Sequence, residues 1–286
     1  MYFRVFALLT LSLFITSCSE KKAKVEDEKK VPNRIISLAP SITEILCALD
    51  LQDKLVGVTD FCIDPFKTTD LSEKSVGGII NPNFEKIIKS NSDLIFLLKG
   101  KGNLGDKLAK VNKNIVTLEH LDLNGVFKSI LRIGDICGVQ KKAKNLYEKL
   151  STLLVEKNSS EGPQVLLTIS RLSTQSTIRL WVAGNDGYYS RLLNLCGARN
   201  VIEDEGKFSQ ISMEKIIKLD PEYIFLLIDK LDEKDQHLEK EYWQKFSTLR
   251  AIKNNNFHII RGDEVMIPGP RFPSVLKKFK AALKNE

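Results

Sequence analysis

Short apolar runs of strand length alternate along this chain with stretches whose apolar residues recur every three or four positions, the order expected of an α/β protein. Arg34 to Leu38 reads as a strand, Ser41 to Leu49 as a helix, Leu55 to Val58 as a strand and Asn83 to Lys89 as a helix. Asp93 to Leu98 and Ile115 to Leu118 are strands again. Residues 123 to 158 read as helical throughout, with Ala143, Leu146, Leu150, Leu153 and Leu154 at helix spacing among lysines, until Glu161-Gly162-Pro163 ends the helix. A second α/β stretch follows: Val165 to Ile169, Leu180 to Ala183, a helix from Tyr188 to Cys196, a strand from Phe257 to Ile260 and a terminal helix from Ser274. A long helix between two α/β lobes acts as a rigid spacer and limits how far a cleft between them closes.

One αβ step occurs twice. Glu85-Lys86-Ile87-Ile88-Lys89 followed by Ile95-Phe96-Leu97-Leu98 recurs 129 residues later as Glu214-Lys215-Ile216-Ile217-Lys218 followed by Ile224-Phe225-Leu226-Leu227, with nine identities in fourteen aligned positions. Two similar lobes leave a cleft between them, and clefts at domain interfaces are the default ligand sites.

The first residues carry a leader pattern. Arg4 precedes an apolar core from Val5 to Ile15, and Thr16-Ser17 precede Cys18, so residues 1–17 read as a secretory signal whose core is too short to span a bilayer. Cys18 directly after small residues resembles the bacterial lipobox, which implies acylation of its thiol and a membrane-anchored, extracytoplasmic protein. Residues 18–32 are charged and almost devoid of apolar side chains, the composition of a flexible tether. The remainder divides into an N-terminal α/β lobe at 33–122, a helical segment with the bridging helix at 123–160 and a C-terminal α/β lobe at 161–286.

Composition narrows the chemistry. The net charge of +7 is dispersed along helices, lysine beside glutamate, with no basic stripe interleaved with aromatics, so nucleic acid is not an expected partner and a monomer is expected. Cys47, Cys62, Cys137 and Cys196 form no CxxC pair, and buried thiols with at most one or two bridges are expected. His120, His237 and His258 lie far apart, each without a second ligand at helical spacing, so no metal site is expected. No GxSxG elbow or phosphate-cradling GxxxxGKS is present, and Arg261-Gly262-Asp263 reads as a turn. Gly100-Lys101-Gly102-Asn103-Leu104-Gly105, with Glu119 ending the next strand, imitates a dinucleotide fingerprint. It lies on a late strand before a very short helix, which favours a glycine loop at the cleft mouth.

Arg34 to Leu46 (RIISLAPSITEIL) followed by Leu55 to Cys62 (LVGVTDFC) resembles the opening of bacterial ABC-importer substrate-binding proteins of the helical-backbone class. Val76-Gly77-Gly78, Asn81 to Glu85, Trp181 to Gly184, Cys196 to Val201 and Pro268 to Arg271 are similar to the cobalamin-binding branch. The resemblance implies two Rossmann-like lobes with mainly parallel sheets, joined by one long helix. It also implies a ligand held in a shallow cleft and handed to a membrane permease dimer, with no reaction and no cofactor. Where family cleft residues fall, Phe61, Trp181 and Phe208 supply aromatic walls and Arg271, with Lys99, supplies donors for the amides of a flat, amphipathic corrinoid ring. The chain departs from the branch at Ile79 and Ile80, where a second first-lobe aromatic is common. Glu85 and Glu214, equivalent in the repeat, are implied to meet arginines of the permease.

The expectation is therefore an extracytoplasmic receptor for cobalamin or a related corrinoid. The alternative within the class is an iron-siderophore or haem receptor, in which Lys99, Arg171 and Arg271 would face an anionic chelate. From another class, the alternative is an exported dinucleotide-dependent oxidoreductase using the glycine loop.

Overall fold

The computed structural model describes residues 31–284 apart from 101–102, 112–113, 156–160, 174–177, 185–186, 204–207 and 231–232; the leader, Cys18 and almost all of the tether lie outside the described residues. The first lobe contains β1 (Ile35–Ser37), α1 (Pro40–Ala48), β2 (Leu55–Val58), α2 (Phe84–Lys89), β3 (Leu94–Leu98), α3 (Leu104–Ala109) and β4 (Ile115–Leu118). Its sheet has the order β2-β1-β3-β4 and every pairing is parallel. β1, β2 and β3 are almost wholly buried runs, the signature of a parallel sheet covered on both faces, while the edge strand β4 is largely open. All four strands end at one edge of the sheet, and the loops leaving that edge are where open α/β sheets bind ligands.

The helical connection departs from the expected single rod. It is two helices, α4 (Leu123–Ile136) and α5 (Gln140–Ser151), broken at Gly138, whose φ of +70° ends α4 in the left-handed region that glycine adopts without a Cβ penalty. Helix α5 turns back along α4, since Phe127 meets Tyr147 at 5.3 Å between ring centroids while Gly134 lies against Ala143. A Cβ on Gly134 would stand 2.2 Å from the Ala143 Cβ, so the glycine permits the close crossing. Lys142 of α5 pairs with Asp50 of the first lobe at 2.7 Å. Phe127 of α4 meets Phe272 of the second lobe at 6.0 Å. The hairpin is thus packed between the lobes.

The second lobe contains β5 (Gln164–Ser173), β6 (Ile178–Ala183), α6 (Tyr189–Cys196), β7 (Arg199–Asn200), β8 (Phe208–Ser212), α7 (Met213–Leu219), β9 (Tyr223–Ile228), α8 (Glu233–Gln244), α9 (Arg250–Lys253), β10 (Phe257–Arg261), α10 (Asp263–Met266) and α11 (Phe272–Lys284). Its sheet runs β10-β9-β5-β6-β8, with β7 beside β5. The β10-β9, β9-β5 and β5-β7 pairings are parallel, whereas β5-β6 and β6-β8 are antiparallel, so this sheet is mixed. One buried apolar cluster includes Ile42 and Leu46 of α1, Ile130 of α4, Phe225 of β9 and Phe279 of α11, and so runs through both lobes and the hairpin. The four cysteines among the described residues are free; Cys47, Cys62 and Cys137 are buried.

The repeat is structural as well as sequential. Asn83 caps α2 by accepting from the Lys86 N–H at 3.0 Å, and Ser212 caps α7 by accepting from the Lys215 N–H at 3.3 Å. Both copies turn through a left-handed residue at the same place, Asn91 at φ +47° and Asp220 at φ +42°. The equivalence extends past the sequence match. Asn114 before β4 donates its side-chain amide to the Asp93 carbonyl at 2.9 Å, and Asn256 before β10 donates to the Glu222 carbonyl at 3.0 Å.

Candidate functional site

At the carboxyl edge of the first sheet, the loop after β2 carries Phe61 and Phe66 into solvent, with Phe61 65 % exposed. The loop is held from beneath. Asp64 accepts hydrogen bonds from the backbone N–H of Phe66 (2.9 Å), Thr68 (2.7 Å) and Thr69 (2.9 Å), and from the Thr68 hydroxyl (2.5 Å). Burial pushes the Asp64 carboxyl up, but the bond from the Thr68 side chain and those from the three N–H groups outweigh it and hold the group below its usual range. Cys62 is buried with its Sγ 3.1 Å from both the Thr43 and the Thr59 hydroxyls, which ties the loop to α1. A conformation fixed in this way presents an apolar wall without having to order it on binding.

Beside this loop lies a cavity of about 440 Å³ lined by Leu38, Ile79, Ile80, Leu97, Leu98 and Lys99. Ile80 is 84 % exposed, so the aliphatic pair that replaces an aromatic forms an open apolar lip. The glycine stretch contributes Gly100 and Gly105 to the same cavity and opens only the six-residue α3; Lys101 and Gly102 lie outside the described residues. Lys99 follows β3 and pairs with Glu119, which follows β4, at 2.7 Å. The hydrogen bond to Glu119, with its charge, raises the Lys99 pKa.

In the second lobe Trp181 stands within β6 and Phe208 opens β8. Trp181 pairs with Gln210 and Ala183 with Phe208 in antiparallel register, so Trp181 and Phe208 share one face of the sheet. Leu180, Val182 and Ile211 on the opposite face belong to a core confined to the second lobe. Trp181 is half-buried, and the Phe208 ring packs edge-on to Tyr189 at 6.1 Å. The side chain of Arg171 lies outside the described residues.

Arg271, expected as a ligand donor, has its guanidinium directed to the carboxylates of Glu44 and Asp263. Glu44 lies on α1 with its side chain 1 % exposed, so this contact joins the two lobes. Burial pushes the Glu44 carboxyl up to about 7; Arg271 pulls it down, while Asp263 and Glu264 add to the rise. Arg271 remains charged, because its two carboxylate partners outweigh the cost of its burial and raise its pKa. Gly269 makes the approach possible, since a Cβ there would stand 2.6 Å from Glu44 Oε2. Glu44 was not among the expected site residues. Its signal is a lone carboxylate inside the apolar run Ile42 to Leu49. Nearby, His120 is half-buried with its Nδ1 2.7 Å from the Ser41 hydroxyl, and loss of hydration lowers its pKa to about 4.

Glu85 and Glu214 occupy the first turns of α2 and α7, both exposed, with Lys89 forming an i,i+4 pair to Glu85 at 2.6 Å. The structure therefore gathers Phe61 and Lys99 at one edge of the first sheet and Trp181 and Phe208 on one face of the second. It assigns Arg271 to the junction between the lobes.

Comparison with known proteins agrees with this architecture. The model of a family described as periplasmic binding protein matches residues 35–264. An uncharacterised ABC transporter substrate-binding lipoprotein of Bacillus subtilis (strain 168) is 30 % identical over 260 residues, covering 85 % of this chain and 77 % of that protein. A vitamin B12-binding protein of Vibrio parahaemolyticus is 27 % identical over 272 residues, covering 92 % and 91 %. A periplasmic haem-binding protein of Pseudomonas aeruginosa superposes with a TM-score of 0.72 at 24 % identity, covering 90 % of this chain and 94 % of that one.

Proposed function

This chain belongs to the periplasmic binding protein family, as a substrate-binding protein of an ABC importer, and from that premise we propose that its ligand is cobalamin or a related corrinoid. The observation that carries the choice is the pairing of the two cleft cations whose side chains are described, Lys99 and Arg271. An anionic siderophore or haem calls for free positive charge, yet Lys99 is matched by Glu119 and Arg271 by Glu44 and Asp263. What the site offers instead is apolar and aromatic surface with neutralised polar groups, which suits a wide amphipathic ring bordered by amides. Phe61, Ile79 and Ile80 form the first-lobe wall in this reading, and Trp181 with Phe208 forms the second. Lys99 stays as a peripheral donor. Arg171 and Arg271 are retained as donors, Arg271 by exchanging Asp263 for a ligand amide.

The protein works outside the cytoplasmic membrane in this reading, anchored through an acylated Cys18, a proposal supported by the lipoprotein among its relatives. It delivers its ligand without chemical turnover, and Glu85 and Glu214 meet two cationic sites on the permease. Their equivalent, exposed positions support that role. Titration of corrinoids, a ferric siderophore and haem against the purified protein tests the ligand assignment.

A further inference from the structure

Most helices of this chain mix lysine with glutamate, and α11 departs from that pattern. It holds Lys277, Lys278, Lys280 and Lys284 and no carboxylate. Lys278 turns to Glu264 and to the Arg261 carbonyl. Lys277, Lys280 and Lys284 are exposed and follow Pro273 at helix spacing, so these four residues lie on one face. Lys277 and Lys280 form no ion pair among the described residues. A row of lysines is ordinarily a solvated helix face, but this one borders a groove. About 430 Å³ open between the end of α5 and α11, lined by Leu153, Pro273, Leu276, Lys277, Lys280 and Lys284, with no carboxylate among the described lining residues. Leu153 is 43 % exposed there. Three cations around an apolar floor match an amphiphilic anion, with charge at the rim and hydrocarbon beneath it.

The place where the described chain begins identifies the amphiphile. Val31 lies against Gly138, where a Cβ would stand 3.0 Å from Val31 Cγ2, and Lys54 donates to the Pro32 carbonyl at 3.0 Å. The anchored end therefore enters the fold at the elbow of the helical hairpin, two residues before α5. Cys18 precedes Val31 by thirteen residues, which reach about 45 Å when fully extended. Leu153 lies about 20 Å from the elbow along α5, at 1.5 Å per residue. A bilayer that holds Cys18 is thus within reach of the groove.

We propose that the groove between α5 and α11 is a membrane-facing surface, in which Lys277, Lys280 and Lys284 meet the phosphates of anionic phospholipids while Leu153 and Pro273 enter the acyl boundary. The inference rests on anchoring through Cys18 and adds to it the face that the protein turns to the bilayer. Acyl chains keep the receptor in the plane of the membrane but leave its orientation free, whereas a basic patch on the folded part fixes that orientation through the negative surface potential.

The test uses the mature chain from Cys18, purified without acylation so that only the protein surface contributes. It is sedimented with vesicles of phosphatidylglycerol and phosphatidylcholine in equal parts and with vesicles of phosphatidylcholine alone. Binding to the anionic vesicles is expected, weakening with added salt, and none to the neutral ones. Lys277→Gln, Lys280→Gln and Lys284→Gln together should weaken it about thirtyfold or more, and Leu153→Ser should weaken it without changing its salt dependence. Lys234→Gln, Lys245→Gln and Lys253→Gln remove the same charge from exposed positions elsewhere and should have little effect. An equal loss in this control would overturn the proposal, because net charge alone would then attract the membrane. Displacement by inorganic phosphate at matched ionic strength would overturn it in favour of a free-phosphate site. Absence of binding to anionic vesicles would overturn the groove assignment and leave anchoring intact, since labelling of Cys18 by a fatty acid decides that separately.

Discussion

Arg271 and Glu44, 227 residues apart in the chain, share an ion pair across the boundary between the lobes. The carboxylate is almost wholly buried and is held with Asp263 around one guanidinium, so removing Arg271 leaves two neighbouring carboxylates without their shared counter-ion, whereas removing Glu44 leaves Arg271 paired with Asp263. Loss of one partner from a buried pair typically costs about 3–5 kcal/mol.

The raised pKa of Glu44 gives the protein a pH signature. The folded state binds this proton more tightly than the unfolded state, whose value is 4.5. The stabilising contribution is therefore full below pH 4.5 and is lost as pH rises through about 7, with a difference of about 3 kcal/mol over the window. Glu44→Gln should remove that dependence. Urea denaturation of both proteins between pH 4.5 and 8 reads it as a stability difference that shifts in favour of the variant with rising pH. A wild-type protein that gains on the variant over that range would mean that Arg271 outweighs burial.

The helical hairpin makes a packing prediction. Gly134→Ala places a methyl group against Ala143, and with a contact of 2.2 Å one helix must move. A destabilisation of about 1–3 kcal/mol is expected from overpacking, and pairing it with Ala143→Gly should recover most of the loss. A neutral Gly134→Ala change in thermal unfolding would show that the helices cross less closely.

Much of the fold is legible in the sequence because the strands of the first sheet are continuous apolar runs and the repeated αβ step announces two lobes. The break at Gly138 is hidden because apolar spacing continues on both sides, through Ile133 and Ile136 into Ala143, and periodicity alone does not distinguish a rod from a hairpin. Strand β8 escapes because Phe208 to Ser212 is short and largely polar, and β6 is read two residues short, from Leu180 instead of Ile178. The pairing of Arg271 with Glu44 has no local signal of any kind. Only the topology brings α1 to the start of α11, which is why the junction that Arg271 makes with Glu44 is hidden in the sequence.

Cys18 carries the anchoring prediction. Its replacement by alanine should abolish labelling by an alkyne fatty acid fed to the cells and leave an uncut precursor. Persistent labelling, or normal cleavage after residue 17, contradicts acylation at this thiol.

Glu85 and Glu214 separate capture from delivery. Charge reversal of both should leave ligand affinity within about twofold, because both side chains are exposed and neither lines the cavity beside Lys99, while uptake in cells lacking the native protein falls to background. Each single reversal should give an intermediate rate. Full uptake by the double variant would reduce both residues to stabilisers of their own helix ends.

Titration calorimetry of the purified protein with cyanocobalamin, ferrichrome and haemin tests the corrinoid assignment most directly. The account predicts saturable one-to-one binding of cyanocobalamin, weakened at least tenfold by Phe61→Ala and by Trp181→Ala, with no chemical turnover. Binding of ferrichrome or haemin with no heat from the corrinoid would contradict it.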